Sequence, residues 1–243
     1  MNKKLFLTSI ILTLALSVNA QSWWKNKRVK GNGNVVTETR STSDYNGISV
    51  GGSFDVILVK GKEGKITLKG EENILPYVET EIKGNNLKIQ YKKNVNIKTT
   101  RRLTVTVTFE DIEKLSLGGS GNISSSDLIK ANDLKVSIGG SGNIEAEVDA
   151  ENLKASIAGS GNIRLTGNAD ELKCSIAGSG DIKAYGLQTD TTRASIAGSG
   201  SVRVSVKTRI KASIAGSGSV YYKGKPAYVD SNSAGSGSVV SKN

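Results

Sequence analysis

Basic side chains recur at two fixed positions of this sequence, and rows of positive charge of this kind can attract an extended anion. Both positions are counted from a repeated Gly-Ser-Gly triplet, one five residues before its first glycine and the other five residues after it. The first set is Lys114, Lys135, Lys154, Lys173, Arg193 and Lys211, and the second is Arg164, Lys183 and Arg203. If the copies stack as neighbouring strands, like charges lie within ~5 to 10 Å and repel unless an anion or an acid offsets them.

Two explanations of these basic rows stay open. The regular spacing of the cations suits an acidic polysaccharide or the phosphates of a lipopolysaccharide. The rows could instead provide solubility and protect strand edges, helped by carboxylates close in sequence such as Glu113, Asp133 and Glu171. All eight residues from Lys135 onward in the two sets are candidate anion-binding residues.

The residues that enzyme chemistry needs are sparse. The chain has no histidine, which excludes His-based triads and removes the commonest general base. Asp181 stands alone at its repeat position, whereas solenoid enzymes that cleave polysaccharides need clustered carboxylates for acid and base work or for calcium. We therefore predict a non-enzymatic protein with no catalytic residues, no metal site and no cofactor.

The triplet repeat predicts the fold that must position these side chains. Successive triplets are 21, 19, 19, 20, 18 and 19 residues apart, and they begin at Gly119, Gly140, Gly159, Gly178, Gly198, Gly216 and Gly235. Ahead of each triplet apolar residues alternate with serine, as in Ala155-Ser156-Ile157, which is the period of a half-buried strand. Another apolar position, such as Ile163, follows the triplet. The copies therefore predict an all-β fold, a parallel β-solenoid with coils of about 19 residues.

Other columns of the repeat support the same interpretation. Glycine suits a corner because it has no Cβ and can adopt positive φ. We expect Asn122, Asn143 and Asn162 to form hydrogen bonds along the stack. Cys174, the only cysteine, shares a column with Ala155 and is expected to be buried without a disulfide. The last copy has Ser231 and Ser233 at apolar positions, as expected of a polar closing coil.

The rest of the chain divides into predicted segments. Residues 1–20 are typical of a secretory signal peptide, and the apolar run within them is too short for a membrane span. Residues 21–40 are predicted to be a flexible basic leader, residues 41–113 irregular β coils or a separate small β domain, and residues 114–243 the regular solenoid. Without Lys3 and Lys4 the formal charge falls from +11 to +9, which favours anionic partners. An exported protein, in the periplasm or at the cell surface, is not expected to meet nucleic acid.

The signal-like N-terminus, the segment Phe54-Asp55-Val56 and the Gly-Ser-Gly-Asn-Ile copies, such as Gly140 to Ile144, together resemble the putative auto-transporter adhesin, head GIN domain family. The resemblance covers about residues 40 to 240. It implies a right-handed, mostly parallel β-helix that Gram-negative bacteria export, with an adhesive role. It supplies no binding residue to transfer to this chain.

Three classes of function follow from these observations. The first is an exported, adhesin-like envelope or surface protein that binds acidic glycans or other anionic envelope polymers through the basic rows. The second is a passive structural component of the envelope, and the third is a polysaccharide-active β-helix enzyme. The sequence does not predict an oligomeric state.

Overall fold

The computed structural model describes residues 27–242, so the predicted signal peptide and residues 21–26 of the leader lie outside the described residues. Nearly all regular structure within this range is strand. A short 3-10 helix, Leu75–Tyr77, follows the fifth strand. The first nine strands are β1 (Lys27–Lys30), β2 (Val35–Ser41), β3 (Gly47–Gly52), β4 (Asp55–Lys60), β5 (Lys65–Glu71), β6 (Val78–Lys83), β7 (Asn86–Tyr91), β8 (Val95–Lys98) and β9 (Thr104–Phe109).

The remaining strands form a parallel stack whose partners are equivalent residues of the repeat. For example, Ile138, Ile157 and Ile176 are consecutive register partners. The predicted β-solenoid, with about seven coils of about 19 residues each, is confirmed. Its strands are β10 (Lys114–Gly119), β11 (Asn122–Ser125), β12 (Ile129–Gly140), β13 (Asn143–Gly159), β14 (Asn162–Gly178), β15 (Asp181–Gly198), β16 (Ser201–Gly216), β17 (Ser219–Lys223), β18 (Tyr228–Ala234) and β19 (Ser238–Ser241).

The core is made of stacked apolar columns from successive coils. In β13, Leu153 and Ala155 are buried while Lys154 between them is exposed, as the alternation of side chains along a strand requires. Cys174 is buried in the column of Ala155, as predicted. Burying one isoleucine or leucine side chain stabilises the fold by ~1.5–3 kcal/mol. Because each coil covers the apolar edge of the next, these contributions accumulate along the stack.

The Gly-Ser-Gly corners allow consecutive coils to approach closely. The N–H groups of Ser160 and Gly161 both donate to the carbonyl oxygen of Gly140 in the preceding coil, at 2.9 and 3.1 Å. Gly159 has a φ of +134°, and a Cβ there would lie 2.4 Å from that same oxygen. A side chain at this position would therefore meet backbone that has no room to move. The corner hydrogen bonds require glycine for reasons of both space and backbone angle.

The irregular N-terminal strands join the solenoid directly. Strand β3 pairs in parallel with β10, and β4 pairs in parallel with β11, so the first regular coil continues an existing sheet. Antiparallel pairings of β2 with β5, of β5 with β9 and of β6 with β7 make this part irregular. The predicted irregular β-rich N-terminal part is thus observed.

The described part of the leader differs from the prediction of a flexible segment. Strand β1 pairs in parallel with β8, and β2 pairs in antiparallel with β5 along its whole length. Val36 packs against the hydrophobic core. The pairing is not evident from the basic residues and the Gly31-Asn32-Gly33-Asn34 turn of this segment, because the partner strands lie far along the chain.

The C-terminal coil is polar and exposed. All seven residues of β18 are exposed, and Ser231 and Ser233 are the partners of Ala212 and Ile214 in the preceding coil. Polar side chains therefore replace two of the apolar columns where the stack ends, as the sequence predicts, whereas Tyr228 and Val229 of β18 are exposed apolar residues. Such replacement limits the exposed apolar surface at the end of a solenoid.

Candidate functional site

The first basic set forms one row along the stack, here called the lysine row. Its members are consecutive register partners in the order Lys114, Lys135, Lys154, Lys173, Arg193 and Lys211. Each is exposed and lies next to buried residues in its own strand, because outward and inward positions alternate. Partner strands are ~4.8 Å apart, so the row presents regularly spaced positive charges.

Carboxylates offset the charge in the C-terminal half of the lysine row. One oxygen of Glu171 lies 3.4 Å from the Lys173 ammonium and 3.3 Å from the Arg193 guanidinium. The Lys211 ammonium lies 3.0 Å from Asp230. These exposed pairs contribute little to stability, but they reduce the positive charge available to a ligand.

The N-terminal half of the row lacks such pairs. Within residues 27–242, no carboxylate oxygen lies within 4.0 Å of the ammonium groups of Lys114, Lys135 or Lys154. Three neighbouring coils therefore each present an unpaired ammonium. This is the part of the row best suited to an external anion.

A groove of about 610 Å³ runs beside these three lysines. Leu134 and Leu153, both almost fully buried, line it from the core side. Its polar lining includes the three unpaired lysines and Lys173, together with the acidic residues Glu113, Asp133 and Glu171. The groove can therefore offer cations to acidic groups and carboxylate oxygens to hydroxyl donors.

The second basic set lies on the other side of the corner and does not share this groove. Arg164, Lys183 and Arg203 are consecutive register partners. Arg203 is held 3.1 Å from Asp181, and Arg164 lies 3.7 Å from Glu145. The structure thus keeps the two basic sets apart.

A tyrosine that sequence reasoning missed lies beside the second set. Tyr185, together with Lys183 and Arg203, lines a cavity of about 300 Å³. The Lys223 ammonium lies 4.9 Å from the centre of the Tyr185 ring. The sequence carried one sign of this irregularity: the triplets at Gly178 and Gly198 are 20 residues apart and those at Gly198 and Gly216 are 18 apart, whereas the usual spacing is 19.

A buried carboxylate was also missed. Glu71 is only 1% exposed and accepts hydrogen bonds from the backbone of Gly33 and from Thr100. Burial raises the pKa of Glu71, but the hydrogen bonds from Thr100, Gly33 and Arg101 outweigh burial and bring it down to about 2. All its donors are protein groups, so Glu71 holds the structure together rather than forming a ligand site.

In residues 27–242 neither a cluster that could bind a metal ion nor a membrane-spanning helix is present. Histidine, cysteine, aspartate and glutamate side chains do not gather there in groups of three or more that could hold a metal ion. None of the helices in that range is long and apolar enough to cross a membrane.

Comparison with known families adds to this geometry. Residues 44–226 match the model of the family described as putative auto-transporter adhesin, head GIN domain. The chain belongs to this family. The resemblance seen in the repeated triplets is confirmed, and both basic sets lie within the matched part of this GIN-domain protein.

Solved structures of other bacterial proteins resemble this GIN-domain chain over most of its length. A putative adhesin from Bacteroides fragilis is 21% identical with a TM-score of 0.84, covering 88% of this chain and 100% of its own. A putative adhesin from Parabacteroides merdae is 27% identical with a TM-score of 0.70, covering 89% of this chain and 100% of its own. A putative lipid binding protein from Parabacteroides distasonis is 30% identical with a TM-score of 0.72, and the coverages are 89% and 100%. No curated protein matches the chain.

Proposed function

We propose that this GIN-domain protein is an exported, surface-associated adhesin-like protein that binds acidic glycans through the groove beside the lysine row. Family membership supports the adhesive role. The observation that carries the ligand class is the run of Lys114, Lys135 and Lys154, which stack in register without carboxylate partners among residues 27–242.

The spacing of the lysines suits a polymer better than a small anion. Ammonium groups on strands ~4.8 Å apart can each meet a different acidic group of a chain that lies along the stack. Each added contact occurs within one bound molecule, so modest individual attractions combine. Carboxylates of a polyuronate and phosphates of a lipopolysaccharide offer the same negative charge.

The mixed lining of the groove supports a glycan. Glu113 and Asp133 add negative charge that disfavours a densely charged polyphosphate, yet they can accept hydrogen bonds from sugar hydroxyls. Leu134 and Leu153 close the groove on its core side but are only 2% and 1% exposed, so the apolar surface comes from the methylene chains of the lining lysines. Such a combination of apolar lining and a few polar groups is typical of binding grooves.

A charge-matched pair of variants tests the proposal. One carries Lys114→Gln, Lys135→Gln and Lys154→Gln, and the control carries Arg193→Gln, Lys207→Gln and Lys211→Gln, so that each loses three positive charges and none of the control positions lines the groove. Binding of polygalacturonate is measured by calorimetry, with dextran as the neutral polymer. We expect at least tenfold weaker binding for the first variant and a smaller change for the control, because its cations are already paired. Equal weakening would show attraction to net charge alone and would overturn the site.

Two further measurements separate the alternatives. Binding should weaken between about 0.05 M and about 0.5 M salt, because exposed charges are screened more strongly. Failure of the wild-type protein to bind polygalacturonate or lipopolysaccharide at the lower salt concentration would favour a passive structural role. The proposal also includes the absence of catalysis, so the length distribution of polygalacturonate should be unchanged after long incubation. Shortened chains would instead favour an enzyme.

A further inference from the structure

The register of the stack is interrupted within β15. Among the long strands β12 to β16, the pairing shifts only where β15 meets its two neighbours. Against β14 the shift lies between Arg164 and Thr166, where two residues of β15, Ala184 and Tyr185, stand opposite Leu165 alone. Bulges of this kind re-aim side chains and are common beside binding sites.

Specific contacts hold this bulge in place. The Ser205 hydroxyl donates to the carbonyl oxygen of Tyr185 at 2.8 Å, and Leu187 is fully buried. Gly186 packs so closely on Thr166 that a Cβ would lie 2.9 Å from the Thr166 methyl carbon. The bulge is therefore a built part of the fold.

The bulge places an aromatic ring beside an unpaired cation. Tyr185 and Lys183 both line the cavity of about 300 Å³. Within residues 27–242, no carboxylate oxygen lies within 4.0 Å of the Lys183 ammonium. Asp181 lines the same cavity and already accepts hydrogen bonds from Arg203 and from the N–H of Ser201, but a carboxylate has about four acceptor positions.

We propose that this cavity, here called the Tyr185 site, binds one acidic sugar residue of the hexuronate class. The Lys223 ammonium lies over the Tyr185 ring at 4.9 Å from its centre, and the rest of the ring surface offers a flat apolar area to the C–H face of a pyranose. Lys183 faces the carboxylate of the sugar, and Asp181 and the Thr166 hydroxyl accept hydrogen bonds from its hydroxyl groups. The ligand class rests on the proposed function, but the site lies on the other side of the corner from the lysine row.

The mixed lining of the site, rather than its net charge, favours a uronate over a simple anion. The cavity is lined by three cations, Arg164, Lys183 and Arg203, and by one carboxylate, Asp181. A phosphate would meet the cations but would leave the tyrosine ring unused and would gain nothing from the acceptor oxygens of Asp181. A sugar with a single carboxylate and several hydroxyl groups can use the cations, the ring and the acceptor oxygens.

Binding of the monosaccharide galacturonate to the full chain tests the Tyr185 site, with galactose as the neutral control. Ligand-observed NMR titrations compare the wild-type protein with Tyr185→Leu, which keeps apolar bulk, and with Lys183→Gln. Lys130→Gln, an exposed change elsewhere on the stack, is the charge-matched control. We expect each of the first two variants to bind galacturonate at least about tenfold more weakly than the wild-type protein does. Lys130→Gln should bind galacturonate as the wild-type protein does, and galactose should not bind.

Each other outcome has a definite meaning. If Tyr185→Leu does not fold, Lys183→Gln still decides the result. Unchanged galacturonate binding in both variants overturns the Tyr185 site, as does binding that is lost only in the variant of Lys114, Lys135 and Lys154. Displacement of galacturonate by an equal concentration of inorganic phosphate also overturns it. Galacturonate could bind at the Tyr185 site while the variant of Lys114, Lys135 and Lys154 binds polygalacturonate as the wild-type protein does. In that case the proposed function of the groove fails and the Tyr185 site stands.

Discussion

The carboxylate of Glu71 accepts a hydrogen bond from the Thr100 hydroxyl at 2.6 Å and another from the Thr100 N–H at 2.8 Å. The backbone N–H groups of Gly33 and Arg101 donate to the same carboxylate at 2.7 and 3.2 Å. One buried side chain therefore joins the end of β5 to the turn between β1 and β2 and to the segment that leads into β9.

Replacing this carboxylate should destabilise the protein. In Glu71→Gln the amide nitrogen cannot accept a hydrogen bond, so buried N–H donors lose their partner. We expect the free energy of unfolding in urea to fall by about 3 kcal/mol at neutral pH. Glu147→Gln, at an exposed position of β13, is the matched control and should change stability by less than about 0.5 kcal/mol. Equal stability of the two variants would contradict the structural role of Glu71.

The same carboxylate should contribute to acid sensitivity. Its pKa is about 2 in the folded protein and 4.5 ordinarily, so the folded state favours the ionised form. This stabilisation is fully present above pH ~4.5 and is lost as the pH falls towards ~2. The difference in unfolding free energy between wild-type protein and Glu71→Gln should therefore shrink from about 3 kcal/mol at pH ~7 to about half that at pH ~3. A difference that does not change with pH would contradict the lowered pKa.

The corners should tolerate alanine at one glycine and not at another. Gly159→Ala would place a Cβ 2.4 Å from the Gly140 carbonyl oxygen at a φ of +134°, and we expect a loss of about 3 kcal/mol or more in thermal or urea unfolding. At Gly139 a Cβ would meet no atom within 4 Å, and Ala158 occupies the equivalent position in the next coil. Gly139→Ala should therefore change stability by no more than about 0.5 kcal/mol.

The thiol of Cys174 should be unreactive in the folded protein. Burial raises its pKa to about 12, and the thiolate is the form that reacts. A thiol-specific chromogenic reagent should modify Cys174 slowly in buffer and completely in denaturing urea, at rates that follow the unfolding transition. Ala155 and Ala194 are its register partners, so Cys174→Ala should fold and give no signal. Rapid modification without unfolding would contradict burial of this column.

The solenoid could be predicted because each coil repeats the same local pattern. The serine between two apolar residues, as at Ser156, defines which positions face the core, and the triplets define where each coil turns. Register follows because a shift of one residue would expose the whole apolar set. The lysine row, with Lys154 at its centre, follows from the same register.

The pairing of β1 and β2 could not be predicted in the same way. Val36 pairs with Gly70, and Lys27 pairs with Val95, across separations that no repeat in the sequence relates. The cluster around Glu71 has the same origin, since its donors come from segments about thirty or more residues away. A single glutamate in a charged segment carries no local sign that it will be buried.

The sequence by itself determined the β-solenoid, the faces of its strands and the residues that share each column, because these depend on local alternation and on a nearly constant repeat. Tertiary structure decided which of the aligned cations are neutralised. Glu171 reaches both Lys173 and Arg193, whereas Lys135 and Lys154 have no carboxylate within 4.0 Å among residues 27–242. The physical reason is that charge pairing depends on side-chain reach between neighbouring coils, which spacing along the chain does not specify.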